Sequence, residues 1–174
     1  ALDSTDVAEL STTQLGALST TQVAALTAAN IASLSDDQVH AFSTSQLTRL
    51  STTAIAGGGC ARAAGLDLPQ ALPLSATQIG ALDDSDIAEF SADQIGAFTT
   101  TQVQAWSSTV ISGLSSVQIA AMLVSQIPSL TTTQLDYLST TNISAFDATQ
   151  IYSLTSGQVA SFDASQIEAY LAAV

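Results

Sequence analysis

The stretch LSTTQLGALSTTQVAAL, residues 10–26, is two copies of one eight-residue unit followed by the start of a third. Counted in steps of eight from Leu2, the first position of the unit runs Leu10, Leu18, Leu26, Leu34, Phe42, Leu50 and onward to Phe162 and Tyr170. A large apolar residue stands at 21 of its 22 occurrences, Gly58 being the exception. Five residues further on, at position 6, the side chain is always aliphatic, from Val7 and Leu15 to Val159 and Ile167, with only Ala63 and Ala71 small. The register passes through 21 octads with nothing inserted or deleted, and self-similarity at a fixed period marks a repeat architecture.

The other positions say what each octad does. Position 2 is Ser, Thr or Asp in 19 of 21 octads, Gly59 and Leu123 being the exceptions, and position 5 is Gln in 14 of 21, with Asn30, Asn142, Asp6 and Asp86 as shorter substitutes. Ser-x-x-Gln is a capping box: the hydroxyl accepts from an orphan N–H of the first helical turn, and the Gln side chain reaches back to the cap residue's own N–H. The large residue at position 1 and the aliphatic at position 6 then stand where the two ends of a hydrophobic staple belong. Each octad therefore spells a helix start.

One continuous helix fails, because eight residues at about 100° each move the apolar stripe by about 80° per repeat and leave no lasting face. A β-solenoid is the runner-up, since Ser and Thr are abundant, but the two apolar positions lie three and five residues apart, on opposite faces of a strand, and the Ala that recurs beside them, as at Ala17, Ala24, Ala25, Ala41, Ala81 and Ala88, favours helix. The expected fold is an all-α solenoid of short capped helices spanning residues 1–174. It has about six helical residues per octad, an elbow of one or two residues at the Leu–Ser step, and three or four helices per superhelical turn. Helices this short lie well below the length that is stable alone in water, so stacking on neighbours must hold them. The large and aliphatic residues are expected inside, with Ser, Thr, Gln and Asp coating the outside. A degenerate seam is expected at residues 57–73, where Gly57 to Gly65 lacks the apolar anchor, the cap and the Gln together.

Charge narrows the function classes. Lys+Arg number 2 against 15 Asp+Glu, for a formal net charge of −13. With only Arg49 and Arg62 as cations there is no basic patch for nucleic acid or anionic lipid. The longest wholly apolar run, Ile119 to Val124, is far too short to span a bilayer. One cysteine, Cys60, and one histidine, His40, supply neither an intrachain disulfide nor a structural zinc site. No catalytic, cofactor or metal residue is assigned on these grounds.

The densest carboxylate group, Asp83, Asp84, Asp86 and Glu89, reads as structure: Asp83 as a cap, Asp84 in the first helical turn, and Asp86 in place of the capping-box Gln. Asp36 and Asp37 occupy matching first-turn places. His40 falls where other octads carry Ala or Gly, which makes it a surface or groove residue, and no serine sits in a Gly-x-Ser-x-Gly elbow. The run Gly57 to Gly65 with Cys60 and Arg62 reads either as a weak seam or as an anion cradle beside an activated thiol. An enzyme is not expected.

The recurring Leu-Ser-Thr-Thr-Gln-[Leu/Val]-x-Ala-Leu of residues 10–26 and its relatives near 130–138 resemble the Ser/Thr/Gln-rich tandem arrays of large secreted or surface-attached bacterial proteins, adhesin-like and acidic. The resemblance implies an extracellular or cell-surface stalk, spacer or fibre-forming segment. No capping repeat is visible at either end, so end-to-end self-association, or stacking on neighbouring repeats of a longer chain, is expected. The alternative is a binding module whose Thr, Ser and Gln ladders meet carbohydrate or ice. Followed along the chain, that ladder of Thr pairs is interrupted at Ala28 and Ala29, Asp36 and Asp37, Ala92 and Asp93, and Val124, which favours the structural reading.

Overall fold

A computed structural model describes residues 3–57 and 68–174 of the chain. Among these residues there is no strand; helices of four to six residues follow one another at the octad spacing, with a 3₁₀ turn at Ile127–Ser129 and one longer helix at the end, Ala164–Ala173. The local cause is the capping box. In Thr132–Leu135, the Thr131 N–H donates to Gln134 Oε1 at 2.9 Å, and the Gln134 N–H donates to Thr131 Oγ1 at 3.1 Å. The same reciprocal pair recurs from Asp3 and Asp6 to Asp163 and Gln166.

The elbow is two extended residues. Cap residues at position 2 are extended, as at Ser19 (φ −66°, ψ 155°), and so are the position 1 residues Phe98, Leu114 and Leu154 where they end a six-residue helix. Position 8 is still helical, as at Ala25 (φ −89°, ψ −5°), so six residues turn and two reverse direction, as expected.

The number of helices per turn is three. Among the described residues, helices pack against the one three octads later: Ser4–Ala8 on Ala28–Ala32, Thr20–Ala24 on Thr44–Leu47, Asp84–Ala88 on Ser108–Gly113, Thr140–Ser144 on Ala164–Ala173. A turn is thus 24 residues, and the molecule is a three-sided prism with one column of stacked helices on each side. The first column holds Ser4–Ala8, Ala28–Ala32, Thr52–Gly57, Ala76–Ile79, Thr100–Gln104, the 3₁₀ turn and Ala148–Ser153. The second begins at Thr12–Gly16, the third at Thr20–Ala24.

Positions 1 and 6 from all three sides meet in the middle. Val7, Ile55, Ile79, Ile95, Ile119 and Ile143 are fully buried, and Phe90, Phe98 and Trp106, from successive octads on three sides, touch edge to face with ring centroids 5.2 and 5.8 Å apart. Leu10, Leu18, Leu154, Ile167 and Tyr170, in the first and last turns, are only partly covered.

Two expectations are corrected. Gln does not coat the outside: from Gln46 onward the position 5 glutamines that the structure describes are buried, from Gln126 at 1% exposed to Gln94 at 7%. The final octad is also not ordinary. Its helix continues through Tyr170 to Ala173, with Ala169, Tyr170 and Ala173 packed against the core. The reason is local: Leu171 stands where a Ser, Thr or Asp cap would restart the chain, and Ala172 and Ala173 prefer to continue a helix.

The expected seam lies largely outside the described residues, since residues 58–67 are among those not covered. On its far side Pro69 sits within the helix Leu68–Ala71. The inter-turn bonds reach across it: the Gln70 amide donates to His40 O and Phe42 O, and the Gln78 amide to Leu47 O and Leu50 O.

Candidate functional site

In an octad helix of four to six residues nearly every backbone group is terminal, so orphan donors at the start and orphan acceptors at the end outnumber the internal bonds. Ser, Thr or Asp at position 2 satisfies donors. The acceptors are satisfied by the glutamine four octads later, one turn and one side further along the chain. While its Oε1 accepts from the cap N–H, Gln134 Nε2 donates to Val103 O at 2.9 Å and Trp106 O at 2.9 Å, 31 and 28 residues back. The same fork joins Gln46 to Leu15 and Leu18, Gln118 to Ile87 and Phe90, Gln126 to Ile95 and Phe98, Gln158 to Ile127 and Leu130, and Gln166 to Leu135 and Leu138. One buried amide therefore closes its own helix start and ties down the helix end beneath it.

Departures at position 5 confirm the logic. Asn142, one methylene shorter, donates to Leu114 O at 2.9 Å, 28 residues back. Asp86 keeps the capping box, with Asp83 N–H to Oδ2 at 2.9 Å and its own N–H to Asp83 Oδ1 at 3.0 Å, but an ionised carboxylate has no proton to donate. Asp86 is 2% exposed. Burial pushes its carboxyl above the ordinary carboxylate range, the neighbouring charges of Asp83, Glu89 and Asp84 push the same way, and the hydrogen bond from the Asp83 backbone opposes them.

The other singled-out residues are where local reasoning put them. Asp83 caps Asp84–Ala88, with Asp84 in its first turn; Asp36 and Asp37 lie in the first turn of Asp36–His40. His40 is exposed at that helix's end, its Nδ1 3.1 Å from Asp36 O. Cys60 and Arg62 lie outside the described residues. Arg49 borders a shallow open groove of about 260 Å³ with Thr20, Thr21 and Ala24. Among the described residues no three His, Cys, Asp or Glu side chains gather as a metal site, and no helix is long and apolar enough to cross a membrane.

The second task of glutamine, missed by the capping-box reading, had a signal. Glu serves a capping box as well as Gln does, yet none of the three glutamates, Glu9, Glu89 and Glu168, stands at position 5. A position that accepts Gln, Asn and Asp but no Glu is being asked for more than an acceptor.

What the prism presents outward are positions 3, 4, 7 and 8, rich in Thr, Ser, Ala and Gly. At the first turn it also presents the exposed side chains of Gln14 and Gln22, whose Oε1 atoms accept from Ser11 and Ser19 as elsewhere. No curated protein and no solved structure matches the chain. Residues 1–36 match the ALTTAQ repeat, and since the same octad register and the same inter-turn amide recur beyond them, the chain is a helical repeat protein similar to that repeat family over its first turn and a half.

Proposed function

We propose that the chain is a non-catalytic structural and assembly module, a stalk, spacer or fibre-forming segment of an extracellular, bacterial surface protein. The observation that carries this reading is the glutamine fork: each turn is built to receive the next, and among the described residues the same linkage recurs from Gln46 to Gln166, reduced to one bond at Asn142 and lost at Ala54, Asp86 and Val110. The amides of Gln14 and Gln22 stand exposed where they would meet the helix ends of a preceding turn, supplied by neighbouring repeats or by the end of a second copy. Acidic composition, near absence of basic residues and the resemblance to surface-protein arrays support the extracellular placement.

The test adds a turn. A copy of residues 130–153, placed ahead of Leu2 in place of Ala1, keeps the octad register. The melting temperature is expected to rise, and the side-chain amide protons of Gln14 and Gln22 are expected to exchange more slowly. An added turn that changes neither would contradict the reading. For the assembly part, light scattering over a concentration and salt series is expected to show linear growth that strengthens with salt, as screening relieves repulsion between acidic copies.

A further inference from the structure

Three octads per turn redistribute the exposed residues. Of the interruptions of the Thr ladder met along the chain, Asp36 and Asp37 fall on the second column and Ala92 and Asp93 on the third, while the uncharged Ala28, Ala29 and Val124 fall on the first. The first column keeps an exposed hydroxyl at position 4 on five successive levels, Thr53, Thr77, Thr101, Ser125 and Thr149. Its octads 26–33, 50–57, 74–81, 98–105 and 122–129 contain no charged residue, in a chain that carries 15 acidic ones. The other sides hold exposed charges at Asp36, Asp37, Asp84, Glu89 and Asp136, and at Arg49, Asp93 and Glu168. The first column carries charge only at its ends, Asp3, Asp6 and Glu9 in the first octad and Asp147 in the last, and it shows exposed large apolar side chains at neighbouring levels, Leu123 at 54% and Val124 at 42% on the last uncharged level and Tyr152 at 68% on the level above.

We propose that this column is a lateral contact surface for a second copy of the chain, paired face to face about a two-fold axis. Charge selects the occupant. A molecule of net charge −13 repels its own copies through its acidic sides, and the first column is the one side on which two copies meet with no like charges opposed across its five uncharged levels. A face five helices tall, at about 8–10 Å per level and one helix wide, gives about 1,000 Å² buried in total. That is near the floor for a specific contact, so the pair is weak and concentration-dependent. Unlike end-to-end stacking, a two-fold contact closes on itself, so it yields a dimer rather than growth.

Sedimentation velocity on the whole chain tests this with three variants. Thr77→Glu with Thr101→Glu places like charges on the face, as does Thr77→Lys with Thr101→Lys. Thr109→Glu with Thr133→Glu places the same charges on exposed positions of the second column. All six changes are at exposed sites, so circular dichroism and melting temperature should match the parent. At low salt, where repulsion between acidic copies holds back end-to-end growth, the parent should reach a discrete dimer. The first-column Glu and Lys variants should each pair at least tenfold more weakly, the second-column variant should stay within twofold, and an equimolar mixture of the first-column Glu and Lys variants should regain dimer. A parent that is monomeric throughout, equal weakening by the second-column variant, or failure of the mixture to pair would overturn the proposal. So would open-ended growth untouched by the variants, which would leave the end-to-end contact alone standing. A first column that bound polysaccharide or ice without any dimer would overturn it too.

Discussion

At position 5, glutamine and glutamate are equal as acceptors and unequal as donors, and the difference is where the stability of the stack resides. Gln134→Glu keeps the bond from the Thr131 N–H but sets a carboxylate against Val103 O and Trp106 O, where the amide now donates at 2.9 Å. Losing two hydrogen bonds and burying an uncompensated charge is expected to cost about 3 to 5 kcal/mol at neutral pH. The loss should shrink on acidification, because the protonated acid regains a donor. Urea unfolding followed by the fluorescence of the single, buried Trp106 measures it, and a cost no greater than that of deleting a cap hydroxyl would show that the inter-turn bonds carry little. Asp86 is the natural converse. Its carboxyl is held above the ordinary range in the fold, first by burial. Its contribution to stability is therefore fully present below the unfolded carboxylate's value, about 3.9, and is lost as pH rises through the raised folded value. Asp86→Gln is expected to gain about 1 to 2 kcal/mol at pH 7 by restoring the donor, and to flatten the wild-type decline across that window. Paired urea titrations between pH 4 and pH 7 would show it; equal slopes for the two proteins would count against the account.

At the scale of one element, the octad is six helical residues and a two-residue elbow, held by a cap outside and a staple inside. Ser139→Ala removes one cap and is expected to cost about 1 kcal/mol, whereas Leu138→Ala opens a cavity at a 3% exposed site and should cost about 2 to 5. Chemical denaturation of the two variants compares them directly, and the reverse order would mean that inside and outside had been exchanged. These features were legible in sequence because each involves residues no more than five apart: cap, Gln, staple and elbow all lie within one unit. The long last helix is equally local, written in the Leu171 that replaces a cap. The inward burial of Gln was not legible by the same route, since polar side chains are ordinarily exposed and the carbonyls that Gln satisfies are 28 and 31 residues away.

At the scale of the whole molecule, the turn of three octads decides what the surface is. It comes from packing between helices 24 residues apart, which local periodicity constrains only to a small number. Once the turn is known, residues that alternate irregularly along the chain separate into sides, and an interrupted ladder becomes one nearly continuous hydroxyl column beside two charged ones. The central claim is the 24-residue turn closed by the glutamine amide, and nuclear magnetic resonance tests it most directly. The side-chain amide protons of Gln134, Gln158 and Gln166 are predicted to exchange slowly and to show nuclear Overhauser contacts to residues 28 to 31 positions earlier, Val103 and Trp106 for Gln134. Amide protons that exchange as fast as exposed ones, or contacts displaced by a further octad as in a four-helix turn, would contradict it.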